Sequence, residues 1–264
     1  MPKVQVGDVL MSYYDNGTGD LPLLLVHGFP LDKRMWEPQI ERLLYEFRVV
    51  TPDLRGHGES QAAPGPYTME LLADDLKGFL DAMGIPRVAL GGFSMGGYVA
   101  FAFYRKYPAM VQSLLLLDTR PQSDSEEAKA GREDMAQLAE REGAGPIAER
   151  LLPRMLTADT VAGRPDVVDR ARRMMIQCSP QAVAGDLRGI ALRADASDLL
   201  PTIAVPTLIV VGEEDAVAPP ADSELMAAAI PDATLVKVPK AGHLSNLEDP
   251  TAFNAAIRDF LRAH

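Results

Sequence analysis

The chain has 264 residues, 47% of them hydrophobic, and 26 basic against 37 acidic side chains leave a net charge of −11. Its one cysteine, Cys178, excludes an intrachain disulfide framework, and an acidic balance without any basic run argues against nucleic acid or an anionic membrane as partner. A mean hydropathy of −0.03, with charge spread along the chain, excludes disorder, and this length can bury a large core as one α/β unit carrying an insertion.

The first residues, from Met1 to Asp8, lack the apolar stretch of a signal peptide, and no segment approaches 18 uncharged apolar residues. The expectation is a soluble cytoplasmic protein. Val4–Val6 and Val9–Tyr14, joined by Gly7 and Asp8, read as an antiparallel edge hairpin. Short apolar runs then recur at Leu23–Val26, Phe47–Val50, Arg87–Leu90, Val111–Leu117 and Thr207–Val211, each bounded by Gly, Pro or Asp. Runs of this length suit parallel strands buried on both faces. Between them, Trp36–Tyr45, Met69–Met83 and Met95–Tyr107 show helical spacing. In the second, Leu71, Leu72, Leu76, Phe79, Leu80 and Met83 share one face, with Thr68 as N-cap and Gly84-Ile85-Pro86 as stop. Alternating strands and helices imply right-handed βαβ units.

From about residue 120 to 199 the strand runs vanish. Ser123-Asp124-Ser125-Glu126-Glu127 opens a helical stretch that Gly143-Ala144-Gly145-Pro146, Pro153, Gly163-Arg164-Pro165 and Ser179-Pro180 divide into about four helices. This insertion follows the sixth strand and reads as a helical cap of residues 120–199, on a core of residues 1–119 and 200–264. Strand rhythm returns at Thr207, followed by a helix near Ser223–Ile230, a strand near Thr234–Val238 and a closing helix over Thr251–Leu261.

The sharpest chemical signal is Gly92-Phe93-Ser94-Met95-Gly96-Gly97. At average usage G-x-S-x-G arises by chance in roughly one chain in ten of this length, but here a buried strand precedes it and a helix pattern follows, the context of a nucleophile elbow. Gly92 and Gly96 allow strand and helix to pack closely around the turn that exposes Ser94.

The serine needs a base. Of His27, His57, His243 and His264, the last is terminal, and the first two sit in glycine-flanked loops that could lie near the site. His243 follows the last strand, so in a parallel sheet its loop opens at the same edge as Ser94. An orienting carboxylate comes from Val211-Gly212-Glu213-Glu214-Asp215 at that edge, with Asp118, after the sixth strand, as the alternative. The backbone N–H of Met95 is one expected oxyanion donor, and that of Phe29 in His27-Gly28-Phe29-Pro30 the other, since Pro30 has none.

With these pieces placed, the chain resembles the α/β-hydrolase superfamily over essentially its whole length. The matching segments are His27-Gly28-Phe29-Pro30, Asp53-Leu54-Arg55-Gly56-His57-Gly58-Glu59-Ser60, Gly92 to Gly97, Gly212-Glu213-Glu214-Asp215 and Gly242-His243. It looks most like small capped serine carboxylesterases and is similar also to 3-oxoadipate enol-lactonases and cofactor-free haloperoxidase/perhydrolases. Pro30 departs toward the loop of epoxide hydrolases and haloalkane dehalogenases, but those carry aspartate where this chain has Ser94.

The resemblance implies a mostly parallel central sheet flanked by helices. It also implies Ser94, Asp215 and His243 as catalytic residues, Phe29 and Met95 as the oxyanion hole, and a structural role for His57. Candidate substrate contacts are His27, Gly28, Trp36 and Met155. Met155 is one of four insertion methionines, with Met135, Met174 and Met175, that either line an acyl pocket or fill helix packing.

The expected activity is hydrolysis of small to medium acyl esters through a Ser94 acyl-enzyme, with lactonase or perhydrolase chemistry as the alternative. A ligand receptor built on the same scaffold is the reading from another class. No cofactor or metal is expected, since the histidines lack ligand spacing and no dinucleotide fingerprint appears. The expected partner is a small-molecule ester, for a monomer or small homo-oligomer.

Overall fold

The apolar runs assemble into one eight-stranded sheet in the order β1-β2-β4-β3-β5-β6-β7-β8. A computed structural model describes residues 1–19 and 21–264. In chain order its elements are β1 (Lys3–Val6), β2 (Val9–Asn16), β3 (Leu23–Val26), α1 (Glu37–Leu43), β4 (Val49–Pro52), α2 (Met69–Ala82), β5 (Val88–Phe93), α3 (Met95–Lys106) and β6 (Val111–Leu117). After the insertion come β7 (Thr207–Gly212), α9 (Pro220–Ala229), β8 (Ala233–Val238), α10 (Ser245–Glu248) and α11 (Pro250–Ala263). The hairpin partners β1 and β2 are antiparallel, as are β2 and β4, and every other pair is parallel.

Strands β3, β5 and β7 are buried along their whole length, as runs covered on both faces must be. One core side holds Leu24, Leu90, Leu114 and Phe79; the other holds Leu25, Trp36, Leu115 and Phe253. The chain passes from β3 to β4 on one side and then to β5 on the other. Strand order therefore reverses at β3, and a crevice opens at the carboxyl ends of β3 and β5. The loop carrying Phe29 and the turn carrying Ser94 leave from those two ends.

Between β6 and β7 lie five helices, α4 (Glu126–Glu142), α5 (Gly145–Met155), α6 (Ala158–Gly163), α7 (Pro165–Gln177) and α8 (Pro180–Ala191), where the sequence suggests about four. Pro165 and Pro180 open helices, where a missing N–H costs nothing. Pro153, expected as a divider, sits inside α5 instead. The break falls at Leu156, which is extended, and at Thr157, whose side chain caps α6. Among the described residues no helix is long and apolar enough to cross a membrane.

Candidate active site

Ser94 has φ 52° and ψ −114°, a strained backbone that few side-chain-bearing residues adopt. Close packing on both sides imposes it. A Cβ on Gly92 would lie 2.2 Å from the Gly96 carbonyl oxygen, and one on Gly96 would lie 2.4 Å from the Val26 oxygen. The turn is pinned further: Ser94 N–H donates to Leu117 O (2.9 Å), and Thr119 Oγ1 donates to Ser94 O (2.8 Å). The half-buried hydroxyl is thereby set above the N-terminus of α3, where free N–H groups face outward.

The sheet brings two distant residues into line with that hydroxyl. His243 Nε2 lies 2.8 Å from Ser94 Oγ, and His243 Nδ1 lies 2.7 Å from Asp215 Oδ2. Asp215 is fixed in turn, because its Oδ1 accepts the N–H groups of Val217 (2.7 Å) and Ala218 (2.9 Å). With Nδ1–H donating to the carboxylate, Nε2 carries the free lone pair that can take a proton from Ser94. The imidazole also packs against Phe93, ring centroids 5.1 Å apart. Among the described residues nothing accepts a hydrogen bond from the N–H of Phe29 or Met95.

Asp118, the alternative acid, is engaged elsewhere. Its Oδ1 accepts Gly212 N–H (2.9 Å) and its Oδ2 lies 2.5 Å from Ser245 Oγ. Burial, with the charge of Asp215 added, holds its carboxyl well above the usual carboxylate range. Asp118, Asp215 and His243 bring donor atoms within 4.8 Å of one another, but each of those atoms already has a hydrogen-bond partner in this network.

The expected substrate contacts are placed differently. His27 is fully buried: Nδ1 donates to Gly28 O (3.0 Å) and Nε2 accepts Leu54 N–H (3.0 Å), so the ring ties two loops together. Burial, with nearby His57 adding to it, lowers its pKa to about 3, which keeps the ring neutral. Gly28 serves packing, since a Cβ there would lie 2.7 Å from the Phe93 ring. Trp36 is fully buried in the core, edge-on to Phe93 at 6.2 Å and beside Phe253 at 6.4 Å. Met155 is buried among core side chains, and its backbone carbonyl accepts Leu244 N–H (2.9 Å).

His57 is fully buried, with Nε2 2.8 Å from Asp186 of α8, so this loop histidine faces the insertion. Sequence reasoning missed both that pair and Glu248, whose carboxylate accepts N–H groups from Gly242 and Thr157. No local pattern signals either, because Asp186 lies 129 residues from His57 and Thr157 lies 91 from Glu248.

A family model described as the alpha/beta hydrolase fold matches residues 22–250. The chain belongs to that family. It superposes on a thermophilic esterase from Thermogutta terrifontis with a TM-score of 0.97, at 47% identity, covering 100% of this chain and 99% of that one. An enol-lactonase from Burkholderia xenovorans superposes with a TM-score of 0.92 at 33% identity, over 99% and 100% of the two chains. A 3-oxoadipate enol-lactonase from Acinetobacter baylyi is 30% identical over 256 residues, 97% of this chain and 94% of its own. This α/β hydrolase therefore aligns with named esterases and lactonases from end to end.

Proposed function

We propose that this α/β hydrolase is a serine carboxylesterase acting on small to medium acyl esters. The reading rests on one observation above others: His243 stands between Ser94 Oγ at 2.8 Å and Asp215 Oδ2 at 2.7 Å. His243 Nε2 takes the hydroxyl proton as Ser94 Oγ attacks the ester carbonyl, and the resulting oxyanion is received by the N–H groups of Phe29 and Met95. Collapse of the tetrahedral adduct expels the alcohol, which receives its proton from His243. Water, deprotonated by the same nitrogen, then attacks the Ser94 acyl group, and the acid departs as the serine is re-protonated. In this reading residues 120–199 form a cap over the carboxyl edge of the sheet, restricting the acyl group that enters.

Lactone hydrolysis is the second reading, favoured by the two enol-lactonase relatives at 30% and 33% identity. The steps are the same, except that the leaving alcohol stays tethered to the acyl group. Perhydrolysis would need only hydrogen peroxide in place of water at the second attack.

A panel of p-nitrophenyl esters of increasing acyl length, run beside lactones and a peroxide-dependent halogenation assay, separates these. Replacing Ser94 with Ala should lower kcat by on the order of 10⁴-fold or more with the fold intact. Turnover retained in folded Ser94→Ala refutes the assignment.

A further inference from the structure

The loop bearing His243 is held on one flank by Glu248 of α10 and on the other by the helical insertion. On one flank Gly242 N–H donates to Glu248 Oε2 (2.7 Å); on the other Leu244 N–H donates to Met155 O (2.9 Å). The second oxygen of Glu248 reaches across to the insertion, where Oε1 accepts both the N–H (2.9 Å) and the hydroxyl (3.0 Å) of Thr157. Met155 ends α5 and Thr157 caps α6, so one short stretch of the insertion meets both Leu244 and Glu248. There is no slack between the two pieces: a Cβ on Gly242 would lie 3.1 Å from Glu248 Oε2, 3.2 Å from Thr157 N and 3.3 Å from Leu156 C.

The bonding at Thr157 explains why a remote carboxylate is needed. A helix N-cap commonly has its own N–H taken by the side chain three residues on. That position is Thr160, whose hydroxyl meets Thr157 Oγ1 at 3.0 Å instead. Glu248, 91 residues away, takes the N–H in its place. It is buried, and a buried carboxylate needs its lone pairs filled by donors. It finds them only when the histidine loop and the insertion are together.

We propose that Glu248 is a positioning residue for His243: it clamps the histidine loop to the insertion, so that the imbalance between a docked and an undocked insertion is felt as a displacement of the imidazole from Ser94. Glu248 touches no reacting atom and acts through the Gly242 backbone. This rests on the Ser94–His243–Asp215 reading. An acid–base group must be held to a fraction of an ångström, and displacement by about 1 Å can cost on the order of 100-fold in rate.

Glu248→Gln tests the clamp. An amide offers one acceptor, so whichever way it turns its NH₂ meets an N–H donor, at Gly242 or at Thr157. Turnover of p-nitrophenyl acetate is measured per active site, with sites counted by labelling to completion with a fluorophosphonate. The expected result is a kcat per site lower by roughly 10- to 100-fold, KM within about threefold of the unmodified protein, and a fluorophosphonate labelling rate that falls in parallel with kcat. Thr157→Val, which removes the hydroxyl donor to Glu248 together with the cap on the Thr160 N–H while keeping the Thr157 N–H bond, should lower the same two quantities by a smaller factor.

A merely structural role would reduce yield or melting temperature and leave kcat per labelled site unchanged. A kcat per site within twofold in Glu248→Gln overturns the proposal, and if that variant does not fold, an unchanged kcat per site in Thr157→Val overturns it. Ser94→Ala keeps the two readings apart: turnover surviving there refutes the esterase mechanism. An inactive Ser94→Ala beside a fully active Glu248→Gln refutes the clamp alone.

Discussion

Two buried aspartates lie close to His243, and substituting each with Asn should give opposite results. Asp215 has both oxygens committed, Oδ1 to the N–H groups of Val217 and Ala218 and Oδ2 to His243 Nδ1. An asparagine there keeps the two backbone bonds by placing its carbonyl oxygen on the Oδ1 side, which turns the amide toward the imidazole. His243 Nδ1 must then accept, Nε2 must carry the proton, and the lone pair facing Ser94 is lost. Loss of the correct tautomer costs about 10⁴ in kcat, close to 5 kcal/mol of barrier, while the fold is retained.

Asp118 differs. Its carboxyl is held well above the usual range by burial and by Asp215, and its oxygens meet one N–H donor at Gly212 and one hydroxyl at Ser245. A neutral Asn reproduces that pattern, with its oxygen on Gly212 and its NH₂ on Ser245. Asp118→Asn should therefore keep kcat/KM within about threefold, the residual difference expected of an isosteric replacement away from the reacting atoms. Both variants are assayed on p-nitrophenyl butyrate from pH 5 to 9, with melting temperatures alongside. The reasoning fails if Asp215→Asn keeps more than about a hundredth of wild-type kcat and Asp118→Asn in that background removes it, because Asp118 would then be serving His243.

Two further outcomes follow from packing and charge. Burial alone would push His57 down, yet Asp186 at 2.8 Å, with Cys178 nearby, raises its pKa well above the ordinary 6.5. The folded protein thus holds a proton that the unfolded chain gives up, so the stability from this pair is complete below about pH 6.5 and lost as pH rises through the folded value. Burial raises the Asp186 carboxyl, which acts with the same sign at lower pH. The melting temperature of His57→Gln should fall less between pH 6.5 and 9 than that of the unmodified protein, and equal slopes would show that His57 is neutral in the fold. Separately, Gly96→Ala would set a methyl group 2.4 Å from Val26 O and 2.8 Å from His27 O. It should destabilise by about 1–3 kcal/mol and shift the loop that leads to Phe29, seen as a lower melting temperature with a tenfold or larger fall in kcat; wild-type values for both would contradict the close packing.

What the sequence made legible is what neighbouring residues decide. Continuous apolar runs gave the strands, although β4 lies two residues beyond its predicted start because Phe47 and Arg48 are left half-buried ahead of it. The Ser94 turn could be read because its small neighbours stand next to it, and the order of Ser94, Asp215 and His243 follows from loops that share one edge of a parallel sheet. Asp215 could be preferred to Asp118 from its place after the strand that ends at Gly212, but the physical difference between the two lies in which oxygens the backbone of residues 212–218 occupies. His27, Trp36 and Met155 mark the same limit. Position after a strand or within the insertion brought them near the site, but whether a ring lies in the core or on a pocket wall is set by packing across the whole sheet. Pro153 suggests a break because proline removes a helix bond, yet the break sits at Thr157, where Glu248 takes the N–H.

The same distinction accounts for α10. Four residues cannot sustain a helix by themselves, and nothing in Ser245-Asn246-Leu247-Glu248 signals one. Its polar side chains each bond to a different part of the chain. Ser245 meets Asp118 at the end of β6, and Asn246 donates to Met35 O (3.0 Å) and Gln39 Oε1 (3.1 Å), while Gln39 donates back to Asn246 O (3.0 Å). Glu248 reaches Thr157 in the insertion. These residues are all buried, so each lost partner leaves a polar group without water to replace it, and a half-satisfied network is worse than none. The loop between β8 and α11 is consequently fixed by three regions that meet only in the folded chain. His243 belongs to that loop, which makes its position a property of the assembled core and insertion together rather than of the turn that carries it.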